Sequence, residues 1–410
     1  MLQIRNIKVE PDGDGYRLCG QINCKADRRL DGQEVWWSSS QISPGVVSHS
    51  ADPFVAALLL PSMRLGLPLH VEGTISIRLR SNLKRIMELL HGWWPEMKIV
   101  EVQASGHAEA ANPPSSSRGR ASFFSGGVDA FYTLLDHTAR AADGEPRLTH
   151  MVFVRGFDIH LSRDHAIWNK ALANAREVAR ETSLKLVTLS TNIRQLGNPI
   201  VQWDNLHGAC LGSVALALQE TLGTIYIPSS PRRENAPWGS HPMLDPLWSN
   251  EDIEVIYDNR GGGRLHKVLG LADSDLALKY LRVCHENPLG AFNCGKCEKC
   301  IRTMVELRVA GAMDRCHAFA VPLDLGRVSR MFLHNTRYAM ECLEELQRTN
   351  RDLPLQRAIE ESIRRSDAGE SPWRRQARHF RSSMRNGLAR LDDRCFAGAL
   401  HRLYRRLLHP

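Results

Sequence analysis

Ala121-Ser122-Phe123-Phe124-Ser125-Gly126-Gly127-Val128-Asp129-Ala130 is a short apolar run that ends in Ser-Gly-Gly-x-Asp. A helical pattern starts at once, with Phe131, Leu134, Leu135 and Thr138. This predicts strand, tight turn, helix. Two glycines let the backbone turn sharply and approach a ligand without a Cβ in the way. The first N–H groups of the new helix converge on the same spot, and the helix dipole favours an anion there. Ser125 adds a hydroxyl, and Asp129 adds a carboxylate that could hold Mg²⁺ or orient the loop. The competing reading is an ordinary turn between strand and helix. The complete Ser-Gly-Gly-x-Asp set at such a junction favours a cradle for phosphate, with Ser125, Gly126, Gly127, Val128 and Asp129 as its contacts. No Gly-Lys-Ser/Thr follows at Walker spacing.

Working outward, the chain of 410 residues suggests two or three domains. An apolar fraction of 43% and a charged fraction of 24% are ordinary for globular protein. No apolar stretch reaches the length of a membrane span. The start, Met1-Leu2-Gln3-Ile4-Arg5, lacks the apolar region of a secretory signal, which predicts a cytoplasmic chain. Net charge is +8. Ten arginines against two aspartates lie between Trp373 and Pro410, so this tail carries the whole excess. Binding of nucleic acid or of an acidic partner is therefore expected only through the tail. A helix packed on the body with a solvated basic face is the competing reading.

The pattern predicts an α+β domain over residues 1–110. Its expected strands are Gln3–Glu10, Tyr16–Asn23, Glu34–Ser38, His70–Leu79 and Lys98–Ala104. Its expected helices are Asp52–Leu65, broken or kinked at Pro61, and Ser81–Leu90 with a serine cap. The run Ala111-Asn112-Pro113-Pro114-Ser115-Ser116-Ser117 marks a linker over 111–119. From 120 to 315, strands and helices alternate. Strands are expected at Leu148–Phe157, Lys185–Leu189, Thr224–Pro228 and Ile253–Tyr257, with helices at 164–182 and Leu206–Thr221. That alternation predicts an α/β, doubly wound, mostly parallel sheet whose ligands sit beyond the carboxyl ends of the strands. A helical basic region, 316–410, closes the chain.

Several residues fall at those strand ends. Asp158 and His160 follow the second central strand and are candidate nucleotide contacts. Trp203 and Asp204 offer polar and aromatic groups to a heterocycle. The long segment Ser229–Trp248 carries Trp238 and His241 and reads as a substrate lid. Arg264 and Lys267 open a helix, where cations oppose the dipole. Their placement makes sense if they face an anion, which makes Lys267 a candidate catalytic residue with Asp129 and makes Arg264 a candidate substrate contact.

Cys284, Cys294, Cys297 and Cys300 have the spacing C-x9-C-x2-C-x2-C. Three thiols within seven residues can converge on one ion, and Cys284 arrives from a preceding element. Four thiolates suit structural Zn²⁺. The same spacing is compatible with an iron–sulfur cluster or with redox-active thiols.

The Ser125–Asp129 stretch resembles the PP-loop of ATP pyrophosphatases, which usually ends in Ser or Thr where Ala130 stands here. The order PP-loop, α/β sheet, cations at a helix start, then C-x9-C-x2-C-x2-C followed by Arg302 resembles the QueC-like family of 7-cyano-7-deazaguanine synthases. The likeness spans roughly residues 120–310. It implies an adenine nucleotide α-hydrolase-like fold with ATP, Mg²⁺ and structural zinc. Ser125, Gly126, Gly127 and Asp129 would meet ATP phosphates, with Lys267 a further contact. It also implies an AMP-forming carbon–nitrogen ligase that adenylates a carboxylate, 7-carboxy-7-deazaguanine or similar, and passes it to ammonia or to an amine on a protein or small molecule. Some QueC-like proteins belong to bacterial antiviral operons, so defence is one expected context. Two other readings stay open: a PP-loop tRNA sulfurtransferase, for which Cys210 is the candidate thiol, and a non-catalytic nucleotide-binding partner module.

Overall fold

A computed structural model describes residues 1–43, 50–107, 118–142, 144–162, 165–229, 236–258, 262–286, 292–333 and 336–369. The arginine-rich tail and almost all of the expected linker lie outside these residues, so the partner expectations attached to the tail do too.

The first half supplies β1 (Leu2–Asp12), β2 (Gly15–Asn23), β3 (Glu34–Ser39), α1 (Asp52–Leu65), β4 (Leu69–Ile75), α2 (Ile77–Trp93) and β5 (Val102–His107). Next come β6 (Gly119–Phe123), α3 (Val128–Asp136), β7 (His150–Arg155), α4 (His165–Glu181), β8 (Lys185–Thr191), α5 (Ile193–Gly197), α6 (Trp203–Ala217), β9 (Leu222–Pro228) and β10 (Glu254–Asp258). The helices α7 (Arg264–Leu271), α8 (Asp275–Tyr280), α9 (Glu298–Val309), α10 (Leu325–Arg330), α11 (Arg337–Thr349) and α12 (Leu353–Asp367) follow. No described helix is long and apolar enough to cross a membrane.

The ten strands of the described residues form one sheet in the order β10-β9-β6-β7-β8-β3-β2-β1-β4-β5. It is mostly parallel; only β1–β2, β2–β3 and β3–β8 run antiparallel. The fold is therefore α/β, compatible with a doubly wound arrangement. Numbered from β6, the five parallel strands at one end read 5-4-1-2-3, which is the 3-2-1-4-5 order of nucleotide-binding sheets seen from the other edge. The chain leaves β6 toward β7 and β8, then returns to β9 on the other side of β6. That reversal makes the carboxyl end of β6 the topological switch point, where ligands of such sheets bind. The Ser125 turn follows β6 directly.

The chain gathers into two compact units. The first comprises Met1–Ser125, Thr133–Leu161 and Ala175–Arg260; the second comprises Gly126–Tyr132, Ser162–Asn174 and the chain from Gly261 on. This corrects the expectation of an independent domain over 1–110. Trp37 pairs with Thr191 across β3 and β8, the Thr191 hydroxyl donates to the Trp36 carbonyl at 2.6 Å, and Ser213 on α6 donates to the Pro53 carbonyl on α1 at 2.7 Å. One apolar core runs from Leu2 to Val255. Alternation reveals which face of a strand is buried, not which strand lies beside it.

Two local expectations are also corrected. α1 runs unbroken through Pro61. The strand expected to reach Leu79 stops at Ile75, because Asp52 takes the Ser76 N–H at 2.9 Å and α2 starts at Ile77. Ser81, the expected cap, lies inside α2 and donates to the Arg78 carbonyl.

Candidate functional site

β6 ends at Phe123, and the Phe124 N–H still bonds the Val152 carbonyl of β7 at 2.8 Å. The chain then turns. Gly126 has φ +78°, and a Cβ there would stand 3.3 Å from the Arg282 Cβ. Its carbonyl accepts the Arg282 N–H at 2.7 Å. Positive φ and that close neighbour together call for glycine. The Gly127 carbonyl takes the Phe131 N–H at 2.9 Å and so begins the helical ladder. Strand, turn and helix are as the motif predicts. Val128 and Ala130 turn into the interior, while Asp129 stays half-buried.

Within the second unit, Asp129 meets both expected cations. Lys267 Nζ lies 3.3 Å from Oδ1, and an Arg264 terminal nitrogen lies 3.5 Å from Oδ2. Lys267 is only 1% exposed, which makes it a buried ammonium facing a carboxylate that keeps 21% of its side-chain exposure. It also stands 5.8 Å over the Tyr132 ring, whose hydroxyl is 3.3 Å from His266 Nε2. Arg264 is held from behind: Nε donates to Glu306 at 3.1 Å and Nη2 donates to the Thr303 hydroxyl at 3.1 Å. Burial opposes the Arg264 charge, but Glu306 and Asp129 outweigh it and raise its pKa. Burial pushes the Glu306 carboxyl up, against the pull of Arg264 and Arg302. The cations at the start of α7 thus face anions, as the dipole argument requires.

Sequence reasoning missed Thr303 and Glu306. The available signal was a glutamate between Val305 and Leu307 on a helix that the cysteines introduce.

The other expected contacts lie in the first unit. Asp158 is exposed and 3.6 Å from Arg194, and His160 is 3.1 Å from the Gln195 amide. Arg194 stacks 4.2 Å over Trp203 and donates to the Phe157 carbonyl at 2.6 Å. Trp203 and Asp204 are the first turn of α6, not a loop before it. Trp238 packs edge-on against His207 at 5.5 Å. His241 is turned inward: its ring lies 4.8 Å from Trp93 and Nδ1 accepts the Met243 N–H.

The described part of the expected lid is packed structure. Trp248 is fully buried, and a Cβ on Gly208 would collide with the Gly239 carbonyl. Residues 230–235 of that segment lie outside the described residues. Cys210, the candidate thiol for sulfur transfer, is fully buried, and burial raises its pKa.

The four cysteines converge. Their Sγ atoms all lie within 4.8 Å of one another, with Cys284–Cys297 at 4.0 Å and Cys294–Cys300 at 3.8 Å. A tetrahedral ion with Zn–S bonds of about 2.3 Å sets its sulfurs about 3.8 Å apart. The group is therefore close enough to hold one metal ion, consistent with structural zinc.

The surrounding chain supports it. Asn293 accepts the Val283 and Cys284 N–H groups and donates to the Leu281 and Ala318 carbonyls. Gly295, at φ +65°, turns the chain so that the Lys296 and Cys297 N–H groups reach Cys294 Sγ. Hydrogen bonding to Cys294, Cys297 and Cys300 pulls the Cys284 thiol down, while bonding to Cys284 and the others pushes Cys300 up. Once deprotonated, thiols this close could share one cation.

No family model, curated protein or solved structure matches this chain.

Proposed function

We propose that this chain is a PP-loop, QueC-like ligase that consumes ATP. It would adenylate a carboxylate, 7-carboxy-7-deazaguanine or a similar deazapurine acid, and then form an amide with ammonia or with an amine on a protein or small molecule. The observation that supports this reading is the Asp129 carboxylate between Lys267 and Arg264, at a glycine turn that follows the switch-point strand.

The turn and the first N–H groups of α3 suit the anionic end of a nucleotide. Lys267 and Arg264 carry the positive charge for phosphate oxygens. Asp129, a partly exposed carboxylate, would hold Mg²⁺, which when bound neutralises phosphate charge. Cys284, Cys294, Cys297 and Cys300 would hold zinc with no open position, so that metal takes no part in the chemistry.

The carboxylate oxygen of the substrate attacks the α-phosphorus, the bond to the β-phosphate oxygen breaks, and pyrophosphate leaves with the electron pair. The amine nitrogen then attacks the acyl carbon and loses a proton, and AMP departs. No nucleophilic side chain is required. Catalysis rests on positioning and charge neutralisation. The burial of Cys210 weighs against sulfur transfer, which needs an accessible thiol.

The test is to incubate the protein with ATP, Mg²⁺ and 7-carboxy-7-deazaguanine and to measure pyrophosphate release and ATP–pyrophosphate exchange. Release is expected. Silence with this acid and with a panel of other carboxylates sinks the ligase reading; nucleotide binding without exchange identifies a non-catalytic module.

A further inference from the structure

One helix of the second unit carries residues of both polar centres. α9 has Cys297 at its N-cap and Cys300 in its first turn, then Thr303 and Glu306 at successive three-residue steps. Residues three apart are surface neighbours on a helix, so these four follow one another along it. At one end they meet the metal centre. At the other, Thr303 and Glu306 take two nitrogens of Arg264, and a third nitrogen is left toward Asp129.

Glu306 is an unusual tenant of its site. It is fully buried, and its Oε1 has no hydrogen-bond partner among the described residues. A buried acceptor left unpaired is destabilising, because its hydration is lost and not replaced. Val305 and Leu307, on either side of it in the chain, are buried apolar residues.

The cost has a reason in the geometry of arginine. A guanidinium close to a carboxylate prefers a two-pronged pairing. Unrestrained, Arg264 would close on Asp129 with both prongs and cancel the carboxylate. Held at Nε and Nη2, it offers Asp129 one nitrogen at 3.5 Å.

The geometry points to Glu306 as a positioning residue: it holds Arg264 so that one nitrogen faces the glycine turn, and the four-cysteine centre holds Glu306 through α9. This rests on the reading of the turn as an anion site. A second strut runs the same way, because Asn293 binds the Val283 and Cys284 N–H groups while the adjacent Arg282 N–H binds the Gly126 carbonyl.

The test measures binding of inorganic pyrophosphate and of ATP by calorimetry in full-length protein, with zinc content and melting temperature recorded for each variant. Wild type is expected to bind both. Glu306→Gln keeps an acceptor for Nε and should stay within about threefold. Glu306→Leu should lose tenfold or more; if it does not fold, Glu306→Asp, one methylene short of Nε, replaces it with the same expectation. Arg264→Ala should lose tenfold or more and be restored by millimolar guanidinium, while Arg264→Ala combined with the Glu306 change should not. A merely structural glutamate would leave that rescue unaltered. Equal rescue in both backgrounds, or wild-type affinity in Glu306→Leu or its Asp substitute, overturns the inference alone. No binding of either ligand by wild type overturns the anion reading and the inference with it.

Discussion

Asp129 and Asp258 are both aspartates at the end of a strand or the start of the helix after one, and their surroundings differ in kind. Asp258, the last residue of β10, is closed in the interior of the first unit. Thr133 donates to it at 2.5 Å and His137 lies 3.3 Å away, and all three are at most 3% exposed. Asp129, in the second unit, is partly open and faces two full cations. The Thr133 hydroxyl and the His137 ring hold this strand end in place. Fixed cations around an open one leave charge that an incoming anion can take over. A buried ion pair is weak evidence for stability, which is why the proposal gives Arg264 and Lys267 a binding role. Asp245 stands with Asp258: it is fully buried and, among the described residues, receives the Ser240 hydroxyl at 2.5 Å and the His241 N–H at 3.2 Å.

The contrast can be broken at several points. The largest effect is expected from Cys300→Ser, because in structural zinc sites metal-binding free energy is folding free energy, on the order of 10 kcal/mol. Metal analysis should show zinc falling from one equivalent to none, and calorimetry should show the second unit melting at lower temperature. Full zinc occupancy with an unchanged melt would remove the cysteines from that role.

Asp129→Asn should lower pyrophosphate release at least about 100-fold, the usual scale for deleting one charge-positioning group. Zinc content should stay as in wild type; retained turnover would place Asp129 with Asp258 as a brace.

Asp245 supplies a pH test. Burial lifts it to about 7, whereas an aspartate in an unfolded chain titrates near 3.9. Between those values the native state keeps a proton that the unfolded state has lost. The stabilising contribution is therefore full below about pH 4, is lost as pH rises, and levels off above about pH 7. Asp245→Asn should flatten this fall, on the order of 2–3 kcal/mol, in urea midpoints taken from about pH 5 to pH 8. An equal slope in the variant assigns the pH dependence elsewhere.

The smallest change, about 1–2 kcal/mol, is expected for Asp258→Asn, which weakens the bonds to Thr133 and His137. Chemical denaturation should register it, and pyrophosphate release per folded molecule should not. Loss of release at full stability would make the two aspartates alike.

Much of the candidate site was legible because its signals are local. Ser125-Gly126-Gly127-Val128-Asp129 lies between an apolar strand and a helical period, and backbone sterics favour glycine where φ is positive. Cys294, Cys297 and Cys300 sit within one short loop and the first turn of α9, so their convergence follows from spacing. Arg264 and Lys267 were marked by their misfit with the dipole of α7.

What depends on distant residues was not legible. The alternation of β3 shows a buried face, but its partner β8 lies about 150 residues away in the chain. The domain boundary at 110 failed for that reason. Glu306 looked like one more charge on a helix until α7 brought Arg264 against it. His241 was polar by type, yet packing against Trp93 turned it inward.

By itself, then, the sequence determined the turn chemistry, the four-thiol set and the alternation of an α/β chain, since each is carried by neighbours along the backbone. Only the tertiary structure decided that ten strands share one sheet, that β6 is its switch point, and that Asp129 is shared by Lys267 and an Arg264 already held by Glu306. Those facts depend on pairings between segments that are separated in the chain, by 42 residues for Arg264 and Glu306 and by 138 for Asp129 and Lys267, and no local pattern encodes which segment will be the partner.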